Sequence, residues 1–310
     1  MKQKDYVTEI RKLKKERNAI ILAHYYQTSD IQEIADFVGD SLALSQKAAD
    51  NEADVILFAG VKFMAETAKI LSPQKKVLLP DMEAGCSLAD SCDPKEFKKF
   101  IEKYPDHTVI TYINASAEIK ALSNIICTSS NARKIIESLP KEEKIIFAPD
   151  KNLGNYVSLR TGREMVIWDG ACHVHEEISL EKILQIKEEE PSAKIIAHPE
   201  CKASIRKIAD FIGSTTALLR FIETDKNMIY IVATEPWVIY QMKKTRPEKK
   251  FIAAPSLHSS PEYSECNFMK MITIKKIYDC LKENKPEIII NKNLINKAVK
   301  PIIRMLELSK

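Results

Sequence analysis

Three apolar runs in this sequence each stop at a polar residue, and a hydroxyl residue follows every stop at one fixed interval. The runs are "AIILAHYYQ", stopping at His24, "TVITYINAS", stopping at Tyr112, and "KIIAHPEC", stopping at His198. Ser41, Ser129 and Thr215, within "GDS", "TSS" and "GST", lie 17 residues beyond their respective stops. The stops themselves are 88 and 86 residues apart. A second apolar run then ends at Ala59, Ala148 and Ala233, at 35, 36 and 35 residues past the stop. A third run leads to a cysteine, Cys86, Cys172 or Cys266, at 62, 60 and 68 residues.

A register kept through three stretches restricts the fold severely. Short runs of Ile, Val and Leu alternating with amphipathic helical stretches are βα units, and strands so uniformly apolar are parallel ones covered on both faces. The period is far longer than a solenoid repeat. The expectation is therefore an α/β chain of three similar αβα-sandwich domains with small parallel sheets. They take residues 1–86, 87–172 and 173–269, and C-terminal helices at about 270–310 complete the first. Ligands of such sheets bind beyond the carboxyl ends of the strands. Every polar mark lies at such an end, so a pseudo-threefold arrangement would turn all of them toward one central active site.

The repeat also sorts the seven cysteines. Cys86, Cys172 and Cys266 share one position, the loop after a third strand, whereas Cys201 has no counterpart in the other two units. Three thiolates brought together suit an iron–sulfur cluster with one iron left without a protein ligand. Zinc is the competing reading, because Cys172, His173, His175 and His198 are familiar zinc ligands; the lack of any CxxC pair weighs against it. Cys92, Cys127, Cys201 and Cys280 are expected to be structural.

At the helix starts, Ser41, Ser129 and Thr215 can cap a helix or contact an anion, since free amides and a positive dipole end meet there. His24, Tyr26, Tyr112, Asn114, His198 and Glu200 add proton donors and acceptors at the same rim, a set suited to acid–base chemistry on a small anionic substrate. Trp168 and Trp237 read as packing residues. Among 310 residues the formal net charge is only +4 and no basic block occurs, so nucleic acid is not implied. No run approaches membrane-spanning length. The charged start, "MKQKDYVTEIRKLKKERNAI", reads as an amphipathic helix and not as a leader, so a cytoplasmic location is expected. Neither GxGxxG nor GxxxxGK[ST] is present, which leaves nucleotide cofactors without support.

Taken together, the motifs "AHYYQ", "GDSLALS", "FAGVKFMAETAKIL", "LPDMEAGCSLAD", "TYINASAEIKALS", "CTSSNA", "FAPDKNLG", "CHVHE", "AHPEC", "GST" and "CNFMKM" resemble the quinolinate synthase family, the iron–sulfur enzymes of NAD biosynthesis. The resemblance runs from about residue 20 to 275 in the family's order. It implies a 4Fe-4S cluster on Cys86, Cys172 and Cys266, with one iron open to substrate as a Lewis acid in dehydration. It implies condensation of iminoaspartate with dihydroxyacetone phosphate to quinolinate, releasing phosphate and two waters. Carried over by motif, Tyr26, Tyr112, Glu200 and His24 look like catalytic groups. His24, Ser41, Tyr112, Asn114, Ser129, His175, His198, Glu200 and Thr215 look like substrate contacts. The implied partners are the two small-molecule substrates and, transiently, an enzyme that supplies iminoaspartate. One departure stands in "ATEPWVIYQM", where Pro236-Trp237 replaces a commonly found Gly, so Thr234 and Glu235 are left outside the expected site. A second is the longer loop before Cys266. The alternatives are another 4Fe-4S hydro-lyase acting on a small hydroxy acid, an iron–sulfur sensor, and a zinc hydrolase.

Overall fold

A computed structural model describes residues 3–258 and 265–310; part of the long loop before Cys266 lies outside the described residues. Helix α1 (Gln3–Glu16) leads into the first unit, β1 (Ala19–His24), α2 (Ser29–Ile34), β2 (Phe37–Gly39), α3 (Ser41–Ala49), β3 (Val55–Ala59), α4 (Lys62–Leu71) and β4 (Lys76–Leu78). Two helices, α5 (Ser87–Asp90) and α6 (Pro94–Ile101), connect to the second unit. That unit comprises β5 (His107–Tyr112), α7 (Ala117–Ala121), β6 (Ile125–Cys127), α8 (Ala132–Glu137), β7 (Lys144–Ala148), α9 (Lys151–Thr161) and β8 (Met165–Ile167). After α10 (His173–Glu176) and α11 (Leu180–Glu189), the third unit is β9 (Lys194–Ala197), α12 (Ala203–Ile208), β10 (Phe211–Ile212), α13 (Thr215–Thr224), β11 (Ile229–Ala233), α14 (Val238–Thr245) and β12 (Lys250–Ala253). Helices α15 (Asn267–Lys270), α16 (Ile274–Glu283) and α17 (Lys292–Leu308) close the chain.

The three sheets have four strands each and one topology: β2-β1-β3-β4, β6-β5-β7-β8 and β10-β9-β11-β12, all pairs parallel. This is the arrangement expected from the repeat, three αβα units with small parallel sheets.

The pairing register explains the spacing. His24 stands opposite Gly39, Tyr112 opposite Cys127 and Ala197 opposite Ile212, so each partner lies 15 residues on. The hydroxyl residue comes two residues past the partner of the stop, just where the chain leaves the edge strand. Ala59, Ala148 and Ala233 lie across the central strand from Ala23, Thr111 and Ala197. The marks are thus at one height in every sheet because a parallel ladder has one register.

One core runs from the first sheet through the second and includes Ile21, Leu57, Ile110, Phe147 and Ile302. The third sheet has a separate core on each face. Ile195 and Ile231 pack with Ile183 and Ile205, while Ile196 and Val232 pack with Leu218 and Met242. Successive strand residues point to opposite faces, which is why adjacent isoleucines serve different cores. Helix α16 lies on α1 and β3, with Tyr278 against Tyr6 at 5.3 Å between ring centroids. Helix α17 lies across α4, α7, α8 and β6, with Ala298, Ile302 and Met305 buried. Among the described residues no helix is long and apolar enough to cross a membrane.

Candidate active site

The carboxyl ends of the three sheets open onto a single cavity. Its wall carries His24 and Tyr26 from the end of β1, Tyr112 and Asn114 from the end of β5, and His198 and Glu200 from the end of β9. Ser41, Ser129 and Thr215 reach it from the edge-strand exits, and Cys86, Cys172 and Cys266 from the loops after β4, β8 and β12. His175 comes from α10. All thirteen residues singled out in the sequence are therefore brought together. No Lys or Arg lines the cavity among the described residues.

Glu200 is the hub. It is buried, and it accepts the Tyr112 hydroxyl at 2.5 Å. His175 Nδ1 is 3.4 Å from one carboxylate oxygen and His198 Nδ1 is 3.5 Å from the other. Burial works against its charge, but His175, His198 and the Tyr112 hydroxyl overcome that, so the carboxyl is held well below the usual range. The same burial, with Glu200's charge beside it, pushes the Tyr112 phenol well above its ordinary value. Burial and then Glu200 do likewise for Tyr26. Burial lowers His24 to about 4 and His198 to about 3, so both rings are neutral near pH 7. The cavity thus holds an ionised carboxylate, two phenols that keep their protons, and at least two neutral imidazoles.

Smaller contacts fix these groups. The Tyr26 hydroxyl bonds with Thr215 at 3.1 Å and Thr234 at 2.9 Å, and His175 Nε2 bonds with Thr234 at 3.0 Å. His198 Nε2 bonds with the Ser129 hydroxyl at 3.2 Å. Asn114 Oδ1 is buried with no hydrogen-bond partner among the described residues, which leaves an acceptor for a ligand donor.

Two expectations change. Ser41 and Thr215 do not cap their helices: the caps are Asp40 and Ser214, whose side chains accept the Ala43 and Ala217 amides. Ser129 precedes the Asn131 cap of α8 by two residues. The hydroxyls sit just past or ahead of the cap, which leaves them facing the cavity. Thr234 and Glu235 also belong to the site's surroundings. Thr234 joins Tyr26 to His175, and Glu235 lines the cavity wall. Asp40 was not singled out, yet one of its oxygens accepts from both Ser130 and Thr216 at 2.7 Å. It thereby ties all three units together at the cavity rim. The signal for these residues was the repeat itself: Asp40, Thr128 and Ser214 share one position in the units, and Asp150 and Glu235 share another.

The three repeat cysteines fit a cluster. Each is the N-cap residue of a short helix and is partly exposed toward the cavity, whereas the other four cysteines are buried. The backbone amides of the following turn stand near each sulfur without making a cap hydrogen bond to it: Ala89 and Leu88 by Cys86, His175 by Cys172, and Met269 and Phe268 by Cys266. Burial nevertheless pushes Cys86 up to about 12, Cys266 to about 11 and Cys172 well above its ordinary value. Without a metal these are neutral thiols, and metal binding must release their protons. Cys201 is wholly buried, its thiol directed at the Ala233 carbonyl at 3.2 Å. Cys92 packs in a separate core with Phe97 and Val109. A single metal ion also has a candidate set, since donor atoms of Cys172, His175 and Glu200 lie within 4.8 Å of one another.

Residues 8–307 match the family model described as quinolinate synthetase A protein. A Microcystis aeruginosa protein named quinolinate synthase is 59% identical over 305 residues, covering 98% of this chain and 95% of its own. Those of a Synechocystis species and Chloroherpeton thalassium are 57% and 54% identical, covering 99% and 100% of this chain and 96% of each relative.

Proposed function

The chain belongs to the quinolinate synthase family, and on that premise we propose that it condenses iminoaspartate with dihydroxyacetone phosphate to quinolinate, releasing phosphate and two waters. The observation that carries the reading is that three cysteines, one from each sheet, share a cavity with the Glu200–Tyr112 pair. Bound by Cys86, Cys172 and Cys266, a 4Fe-4S cluster would supply an iron without a protein ligand and hence Lewis-acid chemistry for the loss of water.

The side chains divide the remaining work. Glu200, ionised in a buried setting, takes a proton from carbon or nitrogen of the bound substrate. Tyr112 holds a proton on its phenol 2.5 Å away and can return it to a leaving hydroxyl. Tyr26, set by Thr215 and Thr234, is a second donor. His24 and His198 are neutral and so can give or accept a hydrogen bond without adding charge. Ser41, Ser129, Thr215 and Asn114 offer hydrogen bonds to carboxylate, phosphate or amine groups, and His175 stands between Thr234 and Glu200. The compartment in this reading is the cytoplasm, where thiols stay reduced. Iminoaspartate, a hydrolysable imine, would come from an enzyme that makes it nearby.

The Cys172, His175 and Glu200 set supports a second reading, a single-ion enzyme. Anaerobic purification with iron, sulfide and zinc analysis separates the two. Four irons and four sulfides per chain, with quinolinate formed only when both substrates are given, are expected. One zinc and no sulfide would overturn the cluster, and product from a lone hydroxy acid would point to another hydro-lyase.

A further inference from the structure

The loop that carries each repeat cysteine must be held so that sulfur faces the cavity. In the first unit the Lys62 amide donates to the Ala84 carbonyl at 2.7 Å. In the second the Lys151 amide donates to the Gly170 carbonyl at 2.8 Å. Ala84 and Gly170 each stand two residues before the cysteine, and Lys62 and Lys151 each stand three residues past the matched alanine of the second apolar run. The two bonds are therefore the same pin, repeated.

The third unit cannot make it. The position matching Lys62 and Lys151 is Pro236, and proline has no amide hydrogen to give. There the Cys266 peptide N–H faces the Glu235 carboxylate, at 3.4 Å from Oε1, as the Cys172 amide stands by Asp150 in the second unit, but without the backbone pin beside it. Glu235 is itself held firmly. Its Oε2 accepts the Trp237 amide at 2.9 Å, and Lys270 Nζ lies 3.4 Å from Oε1. Lys270 is also seated over the Trp237 ring, 4.4 Å from its centroid. The carboxylate is almost wholly buried, so these partners have no competition from water.

We propose that Glu235 is a positioning residue for the third cysteine, fixing the Cys266 peptide by its carboxylate where Pro236 removes the backbone pin used in the other two units. The proposal rests on the reading of Cys266 as a cluster ligand. Groups just outside a metal's ligands typically govern its affinity by about 10- to 100-fold.

The test uses the full chain, reconstituted anaerobically, and follows iron and sulfide content, the cluster's Mössbauer spectrum, and the rate of iron loss to a chelator. Glu235→Ala is expected to lose iron at least tenfold faster than the unaltered protein. Glu235→Gln can give its one amide oxygen to the Cys266 N–H only by turning its NH2 toward the Trp237 N–H, so it is expected to lose iron at a rate between those of the unaltered and Glu235→Ala proteins. A Glu235→Ala protein with unaltered iron content and loss rate would overturn the proposal. Equal loss in Glu235→Ala and Glu235→Gln would overturn it too, because an acceptor for the Cys266 amide would then not be what matters. Should Glu235→Ala not fold, Glu235→Asp decides: one methylene shorter, it keeps the carboxyl group but withdraws it from the amide, and an unaltered loss rate in it counts against the proposal. If the unaltered protein binds no four-iron cluster, or if Cys266→Ser keeps its cluster, the functional reading itself fails, an outcome distinct from the failure of Glu235 alone.

Discussion

Tyr112 and Glu200 are both buried, share a 2.5 Å hydrogen bond and come from different sheets, so neither holds the other for local reasons. Their pairing keeps a proton beside a charged base. Tyr112→Phe leaves the ring to pack and removes only the hydroxyl. Its rate in a single-turnover assay is expected to fall about 10²- to 10⁴-fold with cluster content unchanged, and a near-normal rate would remove Tyr112 from the chemistry. The cysteines allow a second test at this scale. Cys266→Ser is expected to abolish stable reconstitution of iron and sulfide. Cys201→Ser should keep both, since its sulfur is wholly buried against Ala233 and does not line the cavity. Reversed outcomes would refute the assignment by repeat position. Thr215→Val removes a hydroxyl that meets Tyr26 at 3.1 Å. If that hydroxyl also meets a substrate anion, affinity for quinolinate should weaken by about 10- to 150-fold, as expected for a lost hydrogen bond to a charged group. Binding measured by titration of the cluster's absorbance checks it.

At the scale of strands and helices, what the sequence disclosed and what it hid have one origin. A parallel strand covered on both faces must be apolar throughout, so its end is marked sharply by the first polar residue, and His24, Tyr112 and His198 could be read directly. The shared ladder then set the hydroxyl positions. Helix starts are less legible because residues that cap and residues that follow a cap are of the same types; Asp40 beside Ser41 and Ser214 beside Thr215 show it. Thr234 and Glu235 were passed over because Pro236-Trp237 departs from a familiar pattern, although their place in the repeat matched Pro149 and Asp150. Amphipathic helices such as α17 reveal that one face is buried but not against which sheet. The same connections give a pH prediction. Asp225, at the end of α13, accepts from Lys194 at 2.6 Å and from the Tyr230 hydroxyl at 2.7 Å, which with the Asn227 amide tie the α13–β11 turn to the start of β9. The Lys194 bond foremost, against some burial, holds its carboxyl down to about 2. A depressed carboxyl stabilises the fold above its unfolded value, near 3.8, and loses that contribution as pH falls through about 2. Asp225→Asn should therefore lower stability at pH 7 by about 1 kcal/mol or less. In urea titrations the gap from the unaltered protein should stay constant down to about pH 4 and close only below it; a gap that widens on acidification would contradict the assignment.

For the molecule as a whole, the division of the core matters more than the likeness of the units. The first two sheets share one continuous core, closed over by α17, whereas the third sheet buries its two faces in cores of its own. What joins the third unit to the others is largely polar, both away from the cavity, where Glu33 meets Tyr240 and Lys244 and Gln32 meets Gln241, and at the site. Glu200 takes the Tyr112 hydroxyl, Thr234 and Thr215 take Tyr26, Ser129 meets His198, and Asp40 accepts from Ser130 and Thr216. These are polar links across a cavity, and they are weaker per contact than the apolar packing that joins the first two sheets. A cluster held by Cys86, Cys172 and Cys266 adds a covalent bridge among all three units, and it stabilises only the state in which they are assembled. Removing the cluster anaerobically should therefore loosen the third unit before the other two. Hydrogen exchange followed by mass spectrometry is the direct measurement. In the cluster-bound protein, the central strands β1, β5 and β9 should exchange on one timescale, through a common opening. In the cluster-free protein, β9 and β11 should exchange at least tenfold faster than β1, β3, β5 and β7, a difference of about 1.4 kcal/mol, because the bridge is lost to all three units but the first two remain joined by their shared core. Equal acceleration in all three sheets would mean that the units open together whatever the core division, and no acceleration would mean that the polar links alone are enough to hold the third unit in place.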